Sequence, residues 1–192
     1  MLLELQMYDE AIECYDEALR LDPNLAEAVH NKGLVLSVKG NYEEALVCLE
    51  KAIELNPRDG ASWFIKGNVL CKLERFEDAV KAYEESIWII PNFPDAWYAK
   101  GMALLSLERW DDAIEAFDMV SWLDPDHAGA LNGIGYALGM QGNHDRALQY
   151  FDRALEIDPD NIDTLQNKGT CLNNLGRHEE AKLAFDKAEE LE

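Results

Sequence analysis

Basic residues are scarce in this 192-residue chain. Its 17 Lys and Arg face 38 Asp and Glu, for a formal charge of −21. So acidic a surface repels phosphate backbones and anionic headgroups, which argues against nucleic acid and against a membrane surface as partners. Long apolar runs are missing too, and none approaches the ~18 residues that span a bilayer. The first seven residues, Met1 to Met7, hold Glu4 and no base, unlike a secretory signal. The four cysteines (Cys14, Cys48, Cys71, Cys171) form no CxxC pair. A disulfide framework and a cysteine metal site are therefore not expected, and a reducing, cytoplasmic compartment is. No strand-like alternation, P-loop, GxGxxG or Ser/His/Asp set appears, so neither a cofactor nor catalysis is expected.

What little proline and glycine there is falls on a ruler. Five of the six prolines (Pro23, Pro57, Pro91, Pro125, Pro159) are spaced by 34 residues, and only Pro94 is outside the series. Glycines repeat at Gly33, Gly67, Gly101, Gly135 and Gly169, and alanines from Ala11 to Ala181 on the same period. An aromatic or leucine follows each alanine by four: Tyr15, Leu49, Tyr83, Phe117, Phe151, Phe185. Such self-similarity marks a repeat array. With the glycine as position 8, complete repeats span 26–59, 60–93, 94–127 and 128–161. A partial repeat, 1–25, precedes them, and a nearly complete one, 162–192, follows.

Each repeat reads as two helices. Apolar or small residues recur at positions 4, 8 and 11, then at 17, 20, 24 and 27, both at helical spacing. Gly at 8 and Ala at 20 predict a close backbone crossing. A short turn such as Gly40-Asn41 separates the helices, and the proline at position 32 ends the unit.

This pattern resembles the tetratricopeptide repeat, W-x2-L-G-x2-Y, then A-x3-F, then P, over essentially the whole chain. It departs where position 7 is Lys (Lys32, Lys66, Lys100, Lys168) and where positions 4 and 17 are Val29, Leu131, Leu165, His144 and His178. The resemblance implies an all-α solenoid, a right-handed superhelix of stacked antiparallel helix pairs. It also implies a non-catalytic scaffold that holds a peptide or helix in a concave groove lined by each first helix. Positions 2, 5, 9, 12 and 13 would face that groove. In mid-array they supply Phe64, Asn68, Lys72, Tyr98, Met102, Leu105, Asn132, Tyr136 and Met140. Aromatic, Met and Asn side chains suit an at least partly apolar peptide ligand whose backbone needs hydrogen bonds. Equally, the aromatics could pad neighbouring helices. The Lys/Asn set that clamps acidic C-terminal tails in some members is absent, and position 6 (Asn31, Ile65, Ala99, Gly133, Asn167) makes no unbroken asparagine series. Across all the groove positions stand three acids, Glu27, Asp95 and Asp163, and one base, Lys72, so most of the charge lies elsewhere.

The period also manufactures false motifs. Acidic pairs at positions 18 and 19, such as Glu43-Glu44 and Asp111-Asp112, read as first-turn helix charges, not catalytic carboxylates. Asp158, Asp160 and Asp163 lack the Gly and Glu of a calcium loop. His144 and His178, 34 residues apart, read as core replacements for tyrosine, and Cys14 and Cys48 as half-buried packing residues; no metal site is expected.

A second surface is suggested by Trp88 and Trp122, both at position 29, with Ile90, Phe93 and Met119 nearby in sequence. Either they form an exposed interface, which makes self-assembly the alternative function, or Phe93 and Pro94 fold over the indoles. The last helix has no capping helix after it, so Phe185, Ala188 and Leu191 are expected to be bare. The chain then reads as a fragment of a longer array, able to stack end to end as a homo-oligomer.

Overall fold

The structure, a computed structural model, describes residues 2–191, with side chains from Met7 onward. The described residues form eleven α-helices and no strand. They are α1 (Leu2–Leu21), α2 (Ala26–Lys39), α3 (Tyr42–Leu55), α4 (Gly60–Lys72), α5 (Phe76–Ile89), α6 (Pro94–Ser106), α7 (Trp110–Leu123), α8 (Ala128–Met140), α9 (His144–Ile157), α10 (Ile162–Asn174) and α11 (His178–Glu190). The chain divides into two compact units, Met1–Ala96 and Trp97–Glu192.

Every first helix begins at repeat position 1 and every second helix at position 17. The turn between them has one geometry. Position 15 adopts a positive φ in all five copies: Gly40 (88°), Glu74 (57°), Glu108 (56°), Gly142 (80°) and Gly176 (74°). The next N–H reaches back to the carbonyl at position 11, as in Arg75 to Leu70 (2.9 Å) and Asn143 to Leu138 (2.8 Å). That 6→1 bond closes the first helix by a Schellman motif, which a left-handed residue makes possible. The second helix then starts on an acidic first turn. At three copies the arginine before it grips the acid three residues on: Arg75 with Asp78, Arg109 with Asp112, Arg177 with Glu180. The recurring acidic pairs therefore serve helix starts by dipole and by ion pair.

In the first unit, α2 crosses α3 and α4 crosses α5 at the periodic glycines. An added Cβ at Gly67 would lie 2.4 Å from Tyr83 Cε1. The ring at position 24 occupies the volume that glycine vacates. Ala45 and Ala79, at position 20, are wholly buried. In the second unit Phe117, Phe151 and Phe185 sit the same way on Gly101, Gly135 and Gly169. The Phe117 ring is held from a second side, because a Cβ at Gly133 would lie 2.5 Å from its Cε2.

Successive repeats are also tied by charge. The position-7 lysine pairs with the acid at position 25 of the preceding repeat: Lys32 with Asp16, Lys66 with Glu50 (3.0 Å) and Lys168 with Asp152 (2.6 Å). The second unit breaks the series at α8, where position 7 is the buried Ile134. The matching acid, Asp118, has its carboxyl pushed above the usual range, chiefly by desolvation, against the pull of Arg146.

Several expectations need correction. The partial first repeat shows no turn: α1 runs unbroken through Gln6-Met7, where the later copies have Gly-Asn, Glu-Arg or Gly-Arg. Cys14 is exposed while its counterpart Cys48 is half-buried. Cys48 packs beside Gly33 of the antiparallel α2, and no described helix stands before α1 to do the same. His178 is exposed, bonded to Asn173 (3.1 Å), and is not a core replacement. Ala188 is buried and Phe185 half-buried, because positions 24 and 27 turn toward their own first helix; Leu191 is exposed.

Candidate functional site

The nine residues expected in a groove do not form one described site. Five of them, Tyr98, Met102, Leu105, Asn132 and Tyr136, line a cleft of about 400 Å³ in the second unit, between the first helices α6, α8 and α10. Ser106, Gly129, Gly133, Asp163, Gln166 and Asn167 complete its walls. Met140 lies beside it in a narrow pocket of about 70 Å³, which shares Tyr136 and Asn167 with the cleft. In the first unit Asn68 and Lys72 border a separate pocket of about 150 Å³ with Ser37, Val38 and Tyr42. Phe64 lines neither. Its ring stacks on Phe93 (4.8 Å between centroids) and approaches Tyr83 (6.0 Å), so it pads the structure.

Helical geometry explains the cleft. Positions 2, 5, 9 and 13 share one face, since each residue turns the helix by about 100°. Position 6 falls on the same face, and it contributes Gly133 and Asn167. In sequence, position 6 reads only as a broken asparagine series; its helical angle was the signal that could have found these two. Glycine at 129 and 133 leaves the floor of α8 without side chains, and Met102 (45%), Tyr136 (37%) and Met140 (54%) stay open to solvent.

The polar groups of the cleft are partly committed. Asn167 Nδ2 donates to Asn132 Oδ1 (3.1 Å). The Asn132 amide group and the Asn167 carbonyl oxygen then still offer a donor and an acceptor. Tyr98 packs against Phe117 and against the His127 ring. Burial, and then the negative charge of Asp163, push its phenol above the usual range. His127 Nδ1 accepts from Ala130 N (3.1 Å) and so caps α8, which puts the neutral ring's proton on Nε2. Tyr136 presents its ring edge-on to Trp110.

In the first unit the same face holds a cluster invisible in the linear sequence. His30 Nδ1 lies 2.7 Å from Ser62 Oγ and 3.2 Å from an Asp59 oxygen, and Ser62 donates to Asp59 (2.5 Å). This is a Ser/His/Asp set in composition, contrary to the expectation that none exists. Its geometry is that of a brace: Ser62 is fully buried, spends its proton on Asp59, and Asp59 also caps α4 through Ala61 N. In the same unit Asn68 accepts from Tyr83 Oη (2.8 Å), which also contacts Cys71 (3.4 Å). Burial pushes the Tyr83 phenol and the Cys71 thiol up.

The other candidates separate as well. Trp88 and Trp122 are each 72% exposed, so neither indole is folded away. Phe93 turns instead to Phe64, and Ile90 lies over Gly60. Met119 is half-buried. Asp158 bonds Asn161 and Asp160 pairs with Lys187 (3.3 Å), apart from Asp163 in the cleft wall. No described helix is long and apolar enough to cross a membrane.

Comparison with known proteins agrees with this architecture. Tetratricopeptide-repeat family models match residues 67–108, 98–162 and 140–191, and the model for anaphase-promoting complex, cyclosome, subunit 3 matches 4–86. No curated protein sequence matches at a significant level. Among solved structures, YrrB, described as a TPR protein with an unusual peptide-binding site, is similar at a TM-score of 0.78 and 25% identity, over 94% of this chain and 93% of that one. MamA from Desulfovibrio magneticus RS-1 gives a TM-score of 0.81 at 25% identity, over 86% of this chain and 94% of its own. The period, the helix pairs and these matches together make the chain a member of the tetratricopeptide-repeat family.

Proposed function

We propose that this protein-interaction scaffold binds a peptide segment in the cleft of its second unit. The observation that carries the reading is the cleft itself. It has room for side chains, apolar walls in Met102, Leu105 and Tyr136, and two amides with unspent hydrogen-bonding capacity. An extended peptide needs that mixture: a place to bury a side chain, and partners for the backbone groups that lose water. YrrB, similar over nearly its whole length, is described as having a peptide-binding site, which supports the reading. The pocket at Asn68 and Lys72 is too small to be more than an accessory contact.

Selection from a random heptapeptide display library, followed by affinity measurement on synthetic copies, tests this. Tyr136→Ala is expected to weaken the recovered peptides at least tenfold, while Phe64→Ala, in the first unit, leaves them within twofold. Equal binding by both variants removes the cleft from consideration. A second reading, self-association, has the exposure of Trp88 and Trp122 in its favour. Replacing both with Glu should then lower the mass seen in light scattering, and an unchanged mass sinks that reading.

A further inference from the structure

The cleft walls carry one formal charge. Asp163, in the first turn of α10, is the single ionic side chain among the lining residues, with no Lys or Arg beside it. The exposed Asp163 has no hydrogen-bonded or ion-paired partner among the described residues, unlike Asp152 and Asp160, which hold Lys168 and Lys187. It shares the cleft walls with Tyr98 of α6 and Tyr136 of α8. A carboxylate without a counter-ion, in a cleft that also holds the partly open Tyr136 ring, attracts a cation by charge, and the ring quadrupole adds to it. An acidic side chain would meet that carboxylate with nothing to offset it.

Resting on the peptide-binding reading above, we propose that the cleft selects peptides carrying a lysine or arginine next to an apolar residue. The cation lies at Asp163 and the open Tyr136 ring; the apolar side chain goes to Met102 and Leu105; the intervening backbone meets Asn132 and Asn167.

The discriminating variant is Asp163→Asn. The chain carries −21, so any basic peptide is drawn to it weakly and without selectivity. Removing a single charge barely changes that background, but it abolishes a specific ion pair. Heptapeptides recovered from the random library on the native protein are expected to contain Lys or Arg beside Leu, Ile, Met or Phe. Replacing that cation with norleucine in the synthetic peptide should raise its Kd at least tenfold on the native protein and less than twofold on Asp163→Asn. The norleucine peptide should bind both proteins alike, and both should lose it on Tyr136→Ala. Recovery of uncharged or acidic peptides, or an undiminished penalty on Asp163→Asn, overturns the charge selectivity and leaves the cleft standing. Recovered peptides that ignore Tyr136→Ala, or a library that yields none, overturn the cleft and the selectivity together.

Discussion

In the first unit, position 5 of α2 is His30, and Asp59 and Ser62 hold it. Position 5 of α4 is Phe64, covered by Phe93. In the second unit, position 5 of α6 is Tyr98, stacked on His127. Asp59, Phe93 and His127 all occupy position 34, so the residue just before the next helix closes over position 5 in three consecutive repeats. At α8 the rule lapses. Position 5 is Asn132, which accepts from Asn167 of α10 (3.1 Å), while Asn161, at position 34, bonds Asp158 and caps α10 through Thr164 N (2.9 Å). The cleft opens there, beside the bare backbone of Gly129 and Gly133. An open cleft thus lies where position 5 bonds the next first helix instead of the residue at position 34.

The padding and the open face rest on the same glycine-to-ring crossings, and substitution can test whether the two units are equally tight. Gly67→Ala in the first unit and Gly135→Ala in the second each force a methyl to within 2.4–2.6 Å of a ring carbon. Each is expected to cost about 1–3 kcal/mol in urea unfolding, with an unchanged slope. A negligible cost for Gly135→Ala would mean that Phe151 can yield, and that the unit with the cleft is the looser one.

Turns supply a smaller contrast. Glu74, in the first unit, holds a left-handed conformation that Gly142, in the second, adopts without Cβ strain. Exchanging the residue types should move stability in opposite directions by about 0.5–1 kcal/mol: up for Glu74→Gly, down for Gly142→Ala, read by calorimetry.

The smallest effect concerns the broken ion-pair series. Glu50→Gln in the first unit removes the partner of Lys66, a loss of about 0.2–1 kcal/mol at neutral pH. Asp118→Asn in the second unit should instead raise the melting temperature slightly. The Asp118 carboxyl is raised in the folded state, so folding retains its proton longer. Its ionisation therefore weakens the fold as pH climbs from the ordinary carboxylate range through the raised value. The gain from Asp118→Asn should be present at neutral pH and fade as the solution is acidified below about pH 4, where the native carboxyl is already protonated. A gain independent of pH would point to packing instead of charge.

Much of this architecture is written locally. Apolar spacing, the glycine at position 8 and the proline at 32 determine where helices start, stop and cross, because each acts within a few residues of itself. The groove face was legible for the same reason, through the helical angle of positions 2, 5 and 9. Its division was not. Residue type does not tell whether a groove aromatic is padding or wall: Phe64 and Tyr98 look alike in sequence and each meets the ring at position 34, yet only Tyr98 also borders the cleft. The exposure of Trp88 and Trp122 was equally undecided, since it turns on where Phe93 points.

The sequence alone determined a tetratricopeptide-type array with helices at set positions and no recognisable catalytic motif, because a 34-residue period repeats short-range preferences that need no distant partner. Tertiary structure decided which stretch of the first-helix face is open. That depends on side chains a full repeat or more apart, such as Asn132 bonded by Asn167, and Tyr98 and Asp163 in the walls of one cleft. The linear order holds no direct record of which of them meet.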